Sequence, residues 1–139
     1  MSARLEHANL SVRHADPLIT FLRTAVPEFR VRRDSTEADS TRWVHIGTDT
    51  SYVALYQNGR ATSADGGRSA LNHLGIEVDD IESVAGRLRT AGFRASGVRD
   101  AHRHRRRVYF EDPEGNEWEF VQYLSIDPAK RNDHELQGR

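Results

Sequence analysis

Two histidines occupy the same place in two copies of one short pattern. The pattern Leu-x-His-x-x-(Leu/Ile)-x-Val begins at residue 5 and again at residue 71. A shift of 66 superposes residues 5–25 on residues 71–91 with seven identities in 21 ungapped positions, where background composition gives roughly one or two. Imidazole is the commonest metal ligand in proteins. His7 and His73 are therefore the first candidates for chemistry.

A carboxylate joins the two histidines when the last strands of the two copies are aligned. Tyr52–Gln57 then matches Glu117–Gln122, and Glu119 falls opposite Ala54. Two imidazoles and one carboxylate form a facial ligand set that leaves positions open for substrate and for water or oxygen, and they also suit catalytic zinc. We predict one divalent ion per site, held by the two histidines and Glu119, with Fe, Mn, Zn and Ni all compatible. The alternative is that each histidine is an ordinary hydrogen-bonded residue on a polar face.

Strands and helices must position these residues. Alternation in the first strand puts Leu10 and Val12 on one face and His7 on the other, and the second copy behaves alike. A helix should follow each strand, capped by Asp16 in the first copy and by Asp80 in the second, where Gly92 ends it. The apolar stripes of these helices have helical spacing: Leu18, Phe21, Leu22 and Ala25, then Ile81, Val84, Ala85 and Leu88.

Three shorter strands complete each copy, so each reads βαβββ. In the first copy they lie around Phe29–Arg32, Arg42–Ile46 and Tyr52–Tyr56; in the second, around Arg94–Val98, Arg107–Phe110 and Glu117–Tyr123. The segment 112–116, Asp-Pro-Glu-Gly-Asn, has turn chemistry. The fold class is α+β, with two βαβββ modules that form paired curved mixed sheets with helices outside. We expect one domain over 1–139, with module one at 4–57, a linker at 58–70, module two at 71–124 and a polar tail at 125–139 that lies on the surface or frays.

The composition excludes several function classes. The 139 residues contain no cysteine, which removes thiolate metal sites, disulfides and cysteine nucleophiles. A net charge of −1 gives no global field for gathering nucleic acid. No apolar run or charged-then-apolar N-terminus predicts a membrane span or a signal peptide. We expect a cytoplasmic protein with a small-molecule substrate and with no nucleic acid or membrane partner.

The motifs resemble the vicinal oxygen chelate superfamily, which includes glyoxalase I, extradiol dioxygenases, methylmalonyl-CoA epimerase, and the fosfomycin- and bleomycin-resistance proteins. The resemblance is carried by Leu5-Glu-His7, Leu71-Asn-His73 and the run Asp112-Pro-Glu-Gly-Asn-Glu-Trp-Glu119, and it covers residues 4–124. The family's ligand positions, on the first and last strands of each module, are His7, His73 and Glu119 here. The fourth position, often a carboxylate in the family, is Ala54, so the set resembles the three-ligand members and not glyoxalase I. Chains of this length in the family usually pair, which implies a homodimer whose site uses one chain or a swapped pair.

Further residues are candidates for contacting the substrate. The family pattern makes Tyr109 a possible acid or hydrogen-bond donor, and Arg107 a cation aimed at an anionic substrate. The polar faces of the two sheets are expected to enclose a cavity, and the other substrate-contact candidates are Tyr52, Tyr56, Asn9 and His45. Asn9 and Glu77 flank the candidate ligands and are candidates for hydrogen bonds that support them. The basic run 102–107 is either a solvated cationic loop or a lid. His14 and His134 are expected on the surface.

The resemblance and the ligand set together predict an enzyme that acts on a small, oxygen-bearing, anionic molecule chelated by the metal ion. Dioxygenase-like or isomerase/lyase chemistry is favoured over thiol transfer, with Glu119 and Tyr109 as the catalytic residues. The alternative is a non-catalytic protein of the bleomycin-resistance type that sequesters a small molecule.

Overall fold

The computed structural model describes residues 4–58, 71, 73–97 and 102–133. The chain divides into two compact units, Met1–Ala70 (unit 1) and Leu71–Arg139 (unit 2). Residues 59–70 of the predicted linker, Val98 of a predicted strand and His134 lie outside the described residues. The predicted α+β class with two mixed sheets is confirmed. No helix in the described segments is long and apolar enough to cross a membrane.

Unit 1 contains one helix and a four-stranded sheet. Its elements are β1 (His7–Val12), α1 (Ala15–Ala25), β2 (Arg30–Thr36), β3 (Arg42–Gly47) and β4 (Tyr52–Gln57). The strand order is β1-β4-β3-β2, with β1 and β4 parallel and the other pairs antiparallel. The predicted helical stripe is buried, together with strand residues such as Val12, Val44, Ile46 and Leu55. One face of the sheet is therefore core, and the other is available to polar side chains.

The start of α1 differs from the prediction. The residue before the helix is His14, which makes no side-chain capping bond, and Asp16 lies in the first turn instead of at the cap. The helix start is capped instead by Gln57, the last residue of β4. Its Oε1 accepts a hydrogen bond from the backbone N–H of Ala15 at 2.7 Å. Asp16 instead pairs with Arg42 at 2.9 Å. Local sequence missed this cap because its partner is 42 residues away along the chain.

Unit 2 resembles unit 1 but has a three-stranded sheet. Its elements are β5 (Leu74–Glu77), α2 (Ile81–Thr90), β6 (Arg105–Glu111), β7 (Glu117–Tyr123) and a short α3 (Pro128–Arg131). The strand order is β5-β7-β6, with β5 parallel and β6 antiparallel to β7. The core comprises the α2 stripe with Val108, Phe110, Trp118 and Phe120.

Both ends of α2 confirm the sequence prediction. Asp80 accepts hydrogen bonds from the backbone N–H groups of Glu82 and Ser83, and Gly92 follows the helix with φ +90°. Gln122 Oε1 also accepts from the N–H of Ile81 at 3.2 Å, as Gln57 does at the start of α1. The same glutamine position therefore binds the same helix terminus in both copies, which supports the internal duplication.

Removing this glutamine contact gives a first testable prediction. We expect Gln57→Ala to lower the free energy of unfolding by about 1 kcal/mol, because a helix N–H loses its acceptor. Gln57→Glu is the control, since its carboxylate keeps an acceptor at the positive end of the helix. Urea unfolding followed by circular dichroism measures both. Equal stability of Gln57→Ala and the unmodified protein would count against the contact.

The predicted strand over Arg94–Val98 is wrong in extent. Within the described residues it is reduced to one bridge between Ala95 and Phe110 beside β6. The backbone at Gly97 lies against the ring of Tyr109, so that a Cβ there would lie 2.7 Å from a ring carbon. The backbone at Gly97 thus lies too close to β6 for an ordinary side chain at this position. Regular pairing of segment 94–97 with β6 is limited to a few hydrogen bonds.

The C-terminal segment is on the surface, as predicted, but it is anchored. Asp127 caps α3 by accepting from the N–H of Ala129 at 3.0 Å. Arg105 donates to the carbonyl oxygens of Arg131 and Asp133 at 3.4 and 3.0 Å. Arg131 in turn pairs with Glu77 at 2.6 Å and lies 4.0 Å from the ring centroid of Tyr123. Residues 127–133 are therefore tied to the sheet of unit 2.

Candidate metal and substrate site

Strand register in unit 2 sets the first part of the site. Glu119 on β7 lies beside Gly75 on β5 and beside Tyr109 on β6. Since alternate residues of a strand share a face, Arg107 and Tyr109 lie on the same side of the sheet as Glu119. We call this side, defined by His73, Arg107, Tyr109 and Glu119, the unit-2 polar face. The opposite side carries Trp118 and Phe120 and faces the core.

Glu119 is the centre of this polar face. Its Oε2 lies 3.0 Å from Nε2 of His73, and its Oε1 lies 3.9 Å from a guanidinium nitrogen of Arg107. The Glu119 side chain is 16% exposed and that of His73 is 34% exposed, so both can be reached by a small molecule. The sequence analysis predicts that His73 and Glu119 hold the same ion, and the structure places their side chains within hydrogen-bond distance of each other.

Tyr109 completes the group. Its ring meets the ring of His73 edge to face, with centroids 5.9 Å apart. Burial, and next the negative charge of Glu119, raise the pKa of the Tyr109 phenol. The phenol therefore keeps its proton at neutral pH and is able to donate a hydrogen bond.

The turn after β6 holds this arrangement in register. Asp112 is 5% exposed, and its Oδ1 accepts from the backbone N–H groups of Glu114 and Asn116 at 2.8 and 3.0 Å. Its Oδ2 accepts from the Asn116 amide at 2.9 Å and from the Trp118 indole N–H at 2.8 Å. Gly115 has φ +83°, a conformation that favours glycine. The predicted turn is confirmed, and it joins the strands that carry Tyr109 and Glu119.

Unit 1 presents His7 on the corresponding side of its own sheet. His7 Nδ1 lies 2.7 Å from Oε2 of Glu6, and its ring stacks on Tyr52 with centroids 4.9 Å apart. An ionised carboxylate only accepts, so Nδ1 is the donor in this contact, and in the neutral imidazole the lone pair is then on Nε2. Carboxylates commonly orient metal-binding histidines in this way. Glu6 is a site residue that the sequence analysis missed, although its place beside the first histidine could have suggested it.

The other predicted contact residues of unit 1 share this side. Register places Asn9 and His45 on either side of Ala54, while Tyr52 and Tyr56 flank it along β4. We call this side the unit-1 polar face. His45 stacks on Tyr52 at 4.7 Å, and Trp43 packs on Tyr56 at 4.3 Å. The position equivalent to Glu119 carries only the buried methyl group of Ala54.

The pKa of His45 is lowered, first by burial and then by the charges of Arg33 and Arg32. His45 is therefore a neutral imidazole at neutral pH. Arg32 lies over Tyr52, with its guanidinium carbon 4.4 Å from the ring centroid. Regular alternation along β2 would put Arg32 and Arg33 on opposite faces of the sheet. The sequence pattern therefore gave no indication that both arginines lie near His45.

The basic run at 102–107 is less solvated than a cationic loop. Arg105 is the first residue of β6 and is only 4% exposed. His102 is also buried, and its Nδ1 accepts from the N–H of His104 at 3.1 Å. Arg107, the last residue of the run, lies on β6 with a guanidinium nitrogen 3.9 Å from Glu119. Part of the run is therefore structural, because it anchors the C-terminal segment.

Neither unit, over the residues described, brings three or more His, Asp or Glu side chains together by itself as a metal-binding group. The pair His73 and Glu119 lies in unit 2, and His7 lies in unit 1. The donor chemistry fits a divalent ion such as Zn, Fe, Mn or Ni, since imidazole and carboxylate are both ligands for these metals.

Comparison with known proteins identifies the family. Residues 4–120 match the Glyoxalase/Bleomycin resistance protein/Dioxygenase superfamily. The chain therefore belongs to this superfamily, which includes enzymes such as glyoxalase I and FosX. Its members typically use a divalent metal, bind small-molecule substrates and often form dimers. No curated protein matches the chain significantly.

Solved structures share the fold at low sequence identity. Trypanothione-dependent glyoxalase I of Leishmania major is 21% identical with a TM-score of 0.69, over 87% of each chain. The fosfomycin resistance protein FosX of Mesorhizobium loti is 20% identical with a TM-score of 0.68, over 94% of this chain and 98% of that one. An antibiotic-binding protein of a Streptomyces species is 19% identical with a TM-score of 0.64, over 88% and 97%. At these identities the likeness establishes the fold.

Proposed function

We propose that the protein is a divalent-metal-dependent enzyme of the three-ligand type, in which His7, His73 and Glu119 hold the ion. The substrate is a small anionic molecule that chelates the ion through two adjacent oxygens. The observation that carries the proposal is the approach of His73 Nε2 to Glu119 Oε2 at 3.0 Å. The chain's membership of the superfamily supports it.

The spacing of these two atoms suits a shared ion. An imidazole nitrogen and a carboxylate oxygen would both be ligands of a divalent ion, and these two atoms lie close together on one face of the sheet. Nε2 of His73 donates a hydrogen bond to the Glu119 carboxylate. Binding of a metal ion at Nε2 would displace the proton that makes this bond. His7 meets the same requirement from unit 1, because Glu6 fixes its Nδ1 proton and leaves Nε2 as the donor atom.

The chain's own residues account for substrate binding and proton handling. A bound ion would act as a Lewis acid that stabilises an enolate or a developing oxyanion. Tyr109 holds its proton and donates a hydrogen bond to a substrate oxygen, and Arg107 supplies a positive charge 3.9 Å from Glu119 that attracts an anionic group. Asn9, His45, Tyr52 and Tyr56 line the unit-1 polar face and contact the rest of the substrate. Dioxygenase-like or isomerase/lyase chemistry is compatible with this set.

A second function is favoured by one specific feature. Glu119 lies within ion-pair distance of both His73 and Arg107, and Tyr109 lies opposite it on β6. A carboxylate satisfied in this way could serve as a structural group in a protein that binds a small molecule without metal. The likeness to an antibiotic-binding protein is consistent with this alternative.

Metal content distinguishes the two functions. We expect protein purified without an affinity tag to contain close to one divalent ion per chain, and His7→Ala and Glu119→Ala to lose it. Elemental analysis of each purified variant is the measurement. His14→Ala is the matched control, because His14 is exposed and precedes α1 without a side-chain capping bond. Full metal content in both ligand variants would refute the metal site and favour the sequestration function.

The proposal also covers assembly and cellular location. Superfamily members often form dimers, and we propose a homodimer for this chain. We also propose a cytoplasmic location, in keeping with the absence of cysteine.

A further inference from the structure

Strand β2 contains a bulge at the point where it carries two consecutive arginines. Val31 pairs with Ile46 on β3, but the next paired residue is Arg33, which lies opposite His45. Arg32 is thus the extra residue of the bulge. A bulge sets two residues of one strand against one residue of its partner and re-aims the side chains there.

The bulge puts both arginines on the unit-1 polar face. In a regular ladder Arg33 would lie opposite Val44, whose side chain is fully buried on the core side. With the bulge, Arg33 shares the face of His45, and Arg32 lies over the ring of Tyr52 at 4.4 Å. Two neighbouring guanidinium groups therefore converge on one side of the sheet instead of lying on opposite sides.

These two arginines differ from the other arginines of β2 and β3 in their partners. Arg30 pairs with Asp49, and Arg42 pairs with Asp34 and Asp16. Arg32 and Arg33 pair with no carboxylate among the residues that the structure describes.

Glu6, whose negative charge acts on His45 in the opposite direction to the two arginines, lies 2.7 Å from His7 Nδ1. The positive charges of Arg33 and Arg32 act on His45, because both contribute to lowering its pKa. The unit-1 polar face therefore carries two guanidiniums beside a neutral imidazole, and neither guanidinium forms an ion pair with a carboxylate in the described part of the chain.

We propose that Arg32 and Arg33, with His45 and Tyr52, form an oxyanion-binding subsite that holds a carboxylate or phosphate group of the substrate. Guanidinium groups bind such oxyanions through paired charge-assisted hydrogen bonds. The neutral His45 adds a hydrogen-bond donor, and Tyr52 holds the Arg32 side chain in place by the cation–π contact. The inference deepens the proposed function and rests on it, because it locates the charged end of the substrate on unit 1.

The test uses two small probes and the full-length chain. Sodium benzoate supplies a carboxylate and inorganic phosphate supplies a phosphate, and each is titrated into 15N-labelled protein at constant ionic strength set with sodium chloride. We expect saturable shifts of amide signals in β2 and at His45 and Tyr52 for at least one probe. The probe that saturates at the lower concentration identifies the preferred oxyanion.

Charge-removing variants decide whether the arginines are responsible. We expect Arg32→Gln and Arg33→Gln each to weaken binding of that probe at least fivefold, and the double variant to abolish saturation. Arg23→Gln, which removes an exposed charge from α1 of the same unit, is the matched control and should bind as the unmodified protein does. Failure of both probes to saturate, or equal binding by the double variant, would overturn the subsite.

The oxyanion subsite and the metal site can be tested separately. Elemental analysis of Arg32→Gln/Arg33→Gln should show the same metal content as the unmodified protein, because neither arginine is a proposed ligand. Conversely, His73→Ala should lose metal but keep oxyanion binding, since His73 is not one of the four residues of the proposed subsite. Loss of probe binding in His73→Ala would assign the probe to the metal site and contradict a subsite on β2.

Discussion

Replacement of Glu119 by glutamine should weaken divalent-metal binding at least about 100-fold while the protein stays folded. The amide keeps the size of the side chain but removes the negative charge that completes the two-histidine set. Isothermal titration with Zn²⁺ or Mn²⁺ measures the affinity. Thermal unfolding should change by only a few degrees, because an amide can still contact His73 and Arg107.

Glu117 supplies the matched control for this substitution. It lies two residues earlier on the same strand and face, and its carboxylate accepts from the Ser96 hydroxyl at 3.0 Å. Glu117→Gln should therefore bind metal as the unmodified protein does. If the two variants lost affinity equally, the effect would be one of overall charge and Glu119 would not be a ligand.

Replacement of Asp112 by asparagine should cost about 2–4 kcal/mol of unfolding free energy. Asp112 accepts four hydrogen bonds in a buried position, including one from the Trp118 indole and one from the Asn116 amide. An asparagine NH₂ group cannot accept, so at least one buried donor would face another donor. Urea unfolding followed by tryptophan fluorescence measures the loss.

The control for Asp112 is Asp79→Asn, which changes an exposed carboxylate in the same unit. Its stability should stay within about 0.5 kcal/mol of the unmodified protein. A cost below that value for Asp112→Asn would mean that the turn tolerates a neutral side chain. The expected loss should also weaken metal binding, because the turn sets the register between Tyr109 and Glu119.

Much of the fold and part of the candidate site were predictable from local pattern. The shift of 66 revealed the duplication, and helical spacing located both helices. Asp80 and Gly92 marked the ends of α2 because capping and a positive φ depend on residues within one turn of the helix. Aligning the two copies singled out His73 and Glu119 as candidate ligands, and the structure places their side chains 3.0 Å apart.

Other features depended on partners that lie far along the chain. Nothing near Ala15 indicates that Gln57 caps α1, and nothing near Arg105 indicates that it holds the backbone at Arg131. The strand expected over 94–98 shrank to one bridge because Gly97 lies against the ring of Tyr109. Sequence patterns report periodicity along one segment, and they carry little information about how closely a second segment approaches.

The sequence by itself determined the duplicated architecture, the polar faces and the candidate ligands His7, His73 and Glu119, because these follow from residue type and periods of two and 3.6 residues. Only the tertiary structure decided that Arg32 and Arg33 lie on one face. That outcome depends on the ladder between β2 and β3, where one unpaired residue reverses the alternation of every side chain after it. Register is a property of two strands together, so neither strand's sequence could specify it alone.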